Sequence, residues 1–239
     1  VLSSVDRVDY ASDSSTASAR GPLSAARYLL AATGNTDYGW FGGGGNGTPS
    51  VLSTVDRITY SSDTGTAGVR GSLYEIIFQL AATGNSNYGW FGGGTINNGP
   101  VPTQRSYLTR ITYSSDLSTS SVRGNLNSTV VAPAAAGNSN YGWWGGGVDQ
   151  INSLLLSRVD RVDYASDTGL ASVRGPLTVN RYLFTATGNA DYGYFGAGSP
   201  NLMSSVDRIT YASDSTAASS RGPLSAGRYG LAATGGYPG

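Results

Sequence analysis

Five tyrosines, Tyr10, Tyr60, Tyr113, Tyr164 and Tyr211, are each followed ten residues later by an Arg-Gly pair, at Arg20, Arg70, Arg123, Arg174 and Arg221. Twenty residues beyond the arginine comes an aromatic, at Trp40, Trp90, Trp143 and Tyr194, and the fifth copy stops before reaching it. These two spacings never change. All variation in length falls between a glycine run and the next tyrosine, in segments 45–50, 95–106, 148–158 and 199–203. A fixed frame with one elastic connection describes a supersecondary unit of about 50 residues, used five times.

Each unit reads as four short strands. "VDRVDY" (5–10) alternates and suits a strand, with Val8 and Tyr10 on one face. "ASDSST" has turn chemistry, because Asp and Ser side chains bond nearby backbone. A second strand runs up to Arg20, "RYLLAAT" (27–33) forms a third, and "YGWFGGG" (38–44) forms a fourth after the turn "GNTD". The density of Gly, Ser, Thr and β-branched residues disfavours helix. Four strands per unit at this period predict the blades of a propeller. The expected fold is therefore all-β: residues 1–239 as a single domain, a five-bladed β-propeller of four-stranded antiparallel blades.

The opening strands at Val5 and near Ala19 and the closing "RYGLAAT" (228–234) are expected to join in one blade, so that the two termini close the ring. Pro133 fits an inner strand that is a sheet edge lining a central channel.

The phrases "YGWFGGG", "VDRITY" and "RGPLSAGRYGLAAT" resemble the kelch repeat over essentially the whole chain. In that pattern an aromatic strand ends in double Gly, a V-x-R strand follows, and a P-L-x-x-x-R-x-G stretch leads into an apolar strand. The usual outer-strand Trp and the His after R-x-G are missing, so the resemblance carries architecture rather than an activity. The wording of 204–225 and 82–94 is similar to repeats of marine tailed-phage virion structural proteins. That resemblance implies a virion or extracellular location and protein partners, other virion proteins among them.

Composition narrows the chemistry. Cys and His are both absent, which removes disulfides, thiol nucleophiles, imidazole catalysis and soft metal sites. Glu75 is the single Glu, too few for a sialidase-like carboxylate set, although "SSDTGT" (61–66) resembles the Asp-box turn of that family. No catalytic residue, cofactor or metal is expected. Zero net charge without a basic run argues against nucleic acid, and no apolar stretch is long enough to span a membrane. The chain begins at Val1 and reads as a processed product or part of a longer protein.

Three polar sets recur in all five copies, typified by Arg7, Asp13 and Arg20. They could line a ligand site repeated five times. Against that, charges on covered sheet faces must pair, and a turn Asp caps its own backbone. Trp40, Trp90 and Trp143 suit core packing better than sugar stacking, whereas Trp144 suits either.

Two surfaces remain as candidates. Segments 72–79 and 125–133 depart from "PLSAARYLL" and share one face with the elastic connections. There Ile76, Ile77 and Phe78 beside Leu154, Leu155 and Leu156 form a candidate protein-docking surface. Uneven drift among copies is the alternative explanation. The rival surface is a set of similar glycan pockets between blades, lined by Asn35, Asp37 and Tyr38, by Asn85, Asn87 and Tyr88, and by Asn138, Asn140 and Tyr141.

Overall fold

The computed structural model describes residues 1–12, 14–47, 50–97 and 101–234. Among the described residues there are twenty-two short strands and five single-turn 3-10 segments. Strands β1 (Val5–Arg7) and β2 (Ser18–Arg20) form a two-stranded ladder. The first four-stranded sheet contains β3 (Ala31–Gly34), β4 (Tyr38–Gly42), β5 (Thr54–Thr59) and β6 (Gly68–Ser72). The second contains β7 (Ala81–Gly84) and β8 (Tyr88–Gly92), then, after the hairpin β9 (Thr95–Ile96) and β10 (Thr103–Gln104), β11 (Tyr107–Thr112) and β12 (Ser121–Asn125).

The third sheet repeats that plan with β13 (Ala134–Gly137), β14 (Tyr141–Gly145), β17 (Val159–Asp163) and β18 (Ser172–Arg174), interrupted by the hairpin β15 (Val148–Asp149) and β16 (Leu154–Leu155). The fourth is β19 (Thr185–Gly188), β20 (Tyr192–Gly196), β21 (Val206–Thr210) and β22 (Ser219–Arg221). All strand pairing within the sheets is antiparallel and sequential, as a four-stranded meander requires.

The inner strands β3, β7, β13 and β19 neighbour one another in order. The residue two positions before each strand takes a left-handed conformation: Leu29, Gln79, Ala132 and Leu183 all have φ between 51° and 57°. Backbone bonds link these corners from sheet to sheet, Gln79 N–H to Leu29 O and Ala132 N–H to Gln79 O, both at 2.9 Å. Inner strands are shorter than "RYLLAAT" suggests, because this corner bends the chain before Ala31. Pro133 accordingly precedes β13 rather than lying in it.

Aromatic residues fill the spaces between sheets. Trp40 on β4 stacks on Tyr113 of the next sheet, with ring centroids 3.7 Å apart and planes 5° from parallel. Trp90 on Tyr164 and Trp143 on Tyr211 repeat that geometry at 3.8 Å. All three indoles are fully buried. Each such pair adds about 0.5–1.5 kcal/mol beyond its area burial. The glycines at both ends of the β19–β20 turn make room for the tyrosine: a Cβ at Gly188 would stand 2.6 Å from the Tyr211 hydroxyl.

The expected fifth four-stranded blade is not formed among the described residues. β1 pairs only with β2, and residues 228–234 belong to no strand. Among the described residues no aromatic strand lies between them, and adjacent strands must lie about 4.8 Å apart to share hydrogen bonds. Each half nevertheless leans on its neighbouring sheet. Gly198 donates to Arg228 O and Gly230 to Leu183 O, while Arg7 and Arg20 reach Asp63.

Candidate functional site

The recurring Arg, Asp and Arg-Gly positions converge at each junction between sheets. Asp116 Oδ2 accepts the Trp40 indole N–H at 2.9 Å and Arg57 at 3.0 Å, with Arg70 Nε at 3.6 Å. Asp167 does the same for Trp90, Arg110 and Arg123, and Asp214 for Trp143, Arg161 and Arg174. The turn Asp is therefore an inter-sheet acceptor rather than a cap on its own turn. The local backbone cap falls instead on Asp163, whose carboxylate accepts from Ala165 N–H at 2.9 Å. Asp13, the first of the set, lies outside the described residues.

The glycine after each arginine has a separate reason. Gly71 N–H donates to Asp116 O at 2.7 Å, and a Cβ there would overlap the Ser118 carbonyl of the next sheet. Only a residue without a side chain admits that approach.

A second polar pair escaped the sequence reading. Arg27 and Asp56 form a fully buried ion pair at 2.5 Å, and Arg181 with Asp207 forms another at 3.1 Å. Burial pulls the Arg181 guanidinium below its ordinary value, against the opposing field of Asp207. In the second sheet both members are replaced together, by Ile77 and Thr109, each buried. In the third, Val130 stands in the arginine slot and Arg158 supplies the charge to Asp160 at 3.0 Å. The signal was an Asp one residue before the recurring strand arginine and an Arg seven residues after the Arg-Gly arginine.

This places the apolar candidates. Ile77 is core, 5% exposed, filling the arginine slot among Leu73, Leu80 and Phe91. Ile76 and Phe78 are half-buried, with Phe78 bridged to Thr95. Leu154 is exposed, Leu155 is half-buried on β16, and Leu156 packs against the Trp90 cluster. Ile77 and Leu156 thus belong to different core clusters.

What the structure does bring together are the two hairpins. Gln104 of β10 bonds Gln150 through both side chain and backbone, at 3.3 and 3.2 Å. Val101, Ile151 and Leu154 stand exposed on them. Bridges Phe78–Thr95, Val131–Val148 and Tyr182–Ser199 join the divergent segments to these connections, as the alternating strand directions predict. Beside the first hairpin, Arg105 clasps Glu75 at 3.0 Å, and burial pushes the Tyr107 hydroxyl well above its ordinary value. In the second, bonds from Asn152 hold the Asp149 carboxyl below the usual range.

The candidate glycan residues are largely committed to the scaffold. Asn35 Oδ1 accepts from Asp37 and Tyr38 N–H at 3.0 Å, and its amide donates to Ser86 O of the next sheet at 3.2 Å. Asn85 with Asn87 and Tyr88, and Asn138 with Asn140 and Tyr141, repeat the motif. The Tyr38, Tyr88 and Tyr141 rings each carry an arginine guanidinium 4.3–4.5 Å from the centroid. A cavity of about 310 Å³ opens between the first two four-stranded sheets, lined by Asn35, Tyr38, Asn87 and Tyr88 among others. Trp144 is buried, with its indole N–H 3.4 Å from Ala81 O.

Fold and site together define an all-β protein of repeated antiparallel four-stranded sheets, stapled by Trp, Arg and Asp. Among solved structures the chain is similar to one titled "Structure of YjhT", with a TM-score of 0.79 and 11% identity, over 97% of this chain and 81% of that one. At that identity the likeness bears on the fold alone. No protein-family model and no curated protein matches the sequence. No helix among the described residues is long and apolar enough to cross a membrane.

Proposed function

We propose that the chain is a non-catalytic docking module, built as a single five-bladed kelch-like β-propeller with β1–β2 and residues 228–234 as parts of its fifth blade. The observation that carries the docking reading is the pair of neighbouring hairpins, β9–β10 and β15–β16, with Val101, Ile151 and Leu154 exposed. Apolar side chains gathered on protruding connections suit a protein partner, which desolvates them on contact. The repeated Arg–Asp junctions support the same reading from the other side, because their charges are spent within the scaffold. Following the phage-like wording of the repeat, the partner is another virion protein and the setting a virion or cell exterior.

A second reading, multivalent glycan binding, draws on the cavity at Asn35, Tyr38, Asn87 and Tyr88. One experiment separates the two. The protein and a variant with tight turns in place of 97–102 and 150–153 are put on a glycan array and through cross-linking with candidate virion proteins. Partner capture lost in the variant supports docking, and sugar binding retained by both supports the lectin reading and sinks docking.

A further inference from the structure

Connection 45–50 is the first sheet's counterpart of the two hairpins. Gly45 pairs with Tyr28 through two backbone bonds of 2.9 Å, as Thr95 pairs with Phe78 and Val148 with Val131. It carries one of the two Asn-Gly steps of the sequence, Asn46-Gly47. The other, Asn98-Gly99, lies outside the described residues. Asn46 is exposed, its backbone N–H donates to Ser50 O at 3.2 Å, and no hydrogen bond reaches its side chain among the described residues. Gly47 holds a φ of 128°, and a Cβ built on it would meet nothing within 4 Å.

The turn asparagines of the four sheets are held quite differently. Asn35, Asn85, Asn138 and Asn189 each spend Oδ1 on two backbone N–H groups at 2.9–3.0 Å. The first three also donate their amides to the carbonyls of Ser86, Ser139 and Ala190 on the next sheet. Each is followed by a residue with a side chain: Thr36, Ser86, Ser139 and Ala190.

We propose that Asn46 is a self-modification site, converted to a carboxylate by attack of its own following backbone nitrogen. The Gly47 nitrogen gives its proton to solvent hydroxide and attacks the side-chain carbonyl carbon of Asn46. A new C–N bond closes a cyclic imide, the bond to the side-chain nitrogen breaks, and that nitrogen leaves as ammonia. Water then opens the imide at either carbonyl, giving aspartate or its isoaspartyl isomer. Amide and water are consumed, carboxylate and ammonia are produced, and nothing is oxidised or reduced. Glycine favours the closure because no Cβ obstructs the rotation that brings its nitrogen over the neighbouring side chain. The uncommitted Asn46 amide is free to meet it, whereas the bonds on Asn35, Asn85 and Asn138 fix those amides elsewhere.

The product changes the face that carries the connections. A chain of zero net charge gains one negative charge there, on the segment that corresponds to β9–β10 and β15–β16. In the isoaspartyl form the main chain is also one methylene longer inside the turn that Asn46 N–H and Ser50 O close.

The test incubates the full chain, folded, in mildly alkaline buffer. Peptide mapping by mass spectrometry then reads the state of each asparagine, and native isoelectric focusing follows the charge. Asn46 is expected to become aspartyl and isoaspartyl while Asn35, Asn85 and Asn138 keep their amides, and the rate is expected to rise with pH. In an Asn98→Gln background the remaining acidic band reports on Asn46, and adding Asn46→Gln is expected to abolish it. Asn46 still an amide after the incubation overturns the proposal, as does conversion of Asn85 or Asn138 at an equal rate. An acidic band that persists in the double variant overturns it too.

Discussion

Trp90 on β8 donates its indole N–H to Asp167, 77 residues away in sequence, at 2.8 Å. That one bond joins the aromatic strand of one sheet to the turn of the next. The same carboxylate oxygen accepts from Arg110 at 3.0 Å and lies 3.6 Å from Arg123 Nε, so two hydrogen bonds and a second cation meet at a group with 6% of its side chain exposed. Replacing Trp90 by Phe keeps the stack on Tyr164 but removes a donor to a buried charge. Hydrogen bonds to charged groups contribute about 1.5–3 kcal/mol, and Trp90→Phe is expected to lower unfolding free energy by about 2 kcal/mol. Urea denaturation of the variant checks this, and a loss below about 0.5 kcal/mol would show the staple to be incidental.

The buried Arg181–Asp207 pair can be replaced as the protein itself replaces it in its second sheet. Arg181→Ile or Asp207→Thr alone leaves a lone charge at a fully buried site, costing about 3–5 kcal/mol. Made together, the two changes recreate the Ile77 and Thr109 environment. The double variant is expected to recover at least half of either single loss. A double-mutant cycle measured by chemical denaturation decides it, and simple additivity would be the contrary result.

At the inner corners, Gln79 holds a φ of 57°, a region that costs a side-chain-bearing residue about 1–2 kcal/mol. The fifth copy uses Gly230 at the matching position, with φ 70°. Gln79→Gly is expected to stabilise the protein by about 0.5 kcal/mol, after the greater freedom of glycine in the unfolded chain is subtracted. A lower Tm for this variant would contradict the argument.

Burial drives the Tyr211 hydroxyl far above its ordinary value of 10.0, and no partner reaches it among the described residues. Folded protein keeps that proton at a pH where the unfolded chain has released it. The folded state thus binds more protons above pH 10, and stability falls as pH rises through that range. Phenolate absorbance during alkaline titration should show Tyr211 ionising only as the protein unfolds. Tyr211→Phe is expected to flatten the fall in stability, and an unchanged slope would exclude this tyrosine as a cause.

Much of this architecture was legible in the residues. Invariant spacing located the repeats, and alternation with Gly-rich turns located the strands. The site was less legible. Nothing local distinguishes Ile77 as an arginine replacement from Ile77 as an exposed contact, since the decision lies with Thr109 on another strand. Likewise Asn35 reads as a polar turn residue until the carbonyl of Ser86 comes into reach.

The sequence by itself determined the period, the strand content and the four-stranded antiparallel meander as the unit, because these follow from local alternation and turn chemistry repeated at fixed distance. It did not determine that only four of the five expected meanders would form among the described residues. Tertiary structure alone decided which charges meet, which aromatics are buried and where the set of sheets stays unpaired. Those outcomes depend on surfaces from different copies packing face to face. At Asp63 no indole arrives among the described residues, unlike at Asp116, Asp167 and Asp214, and the same local sequence is left with a different environment.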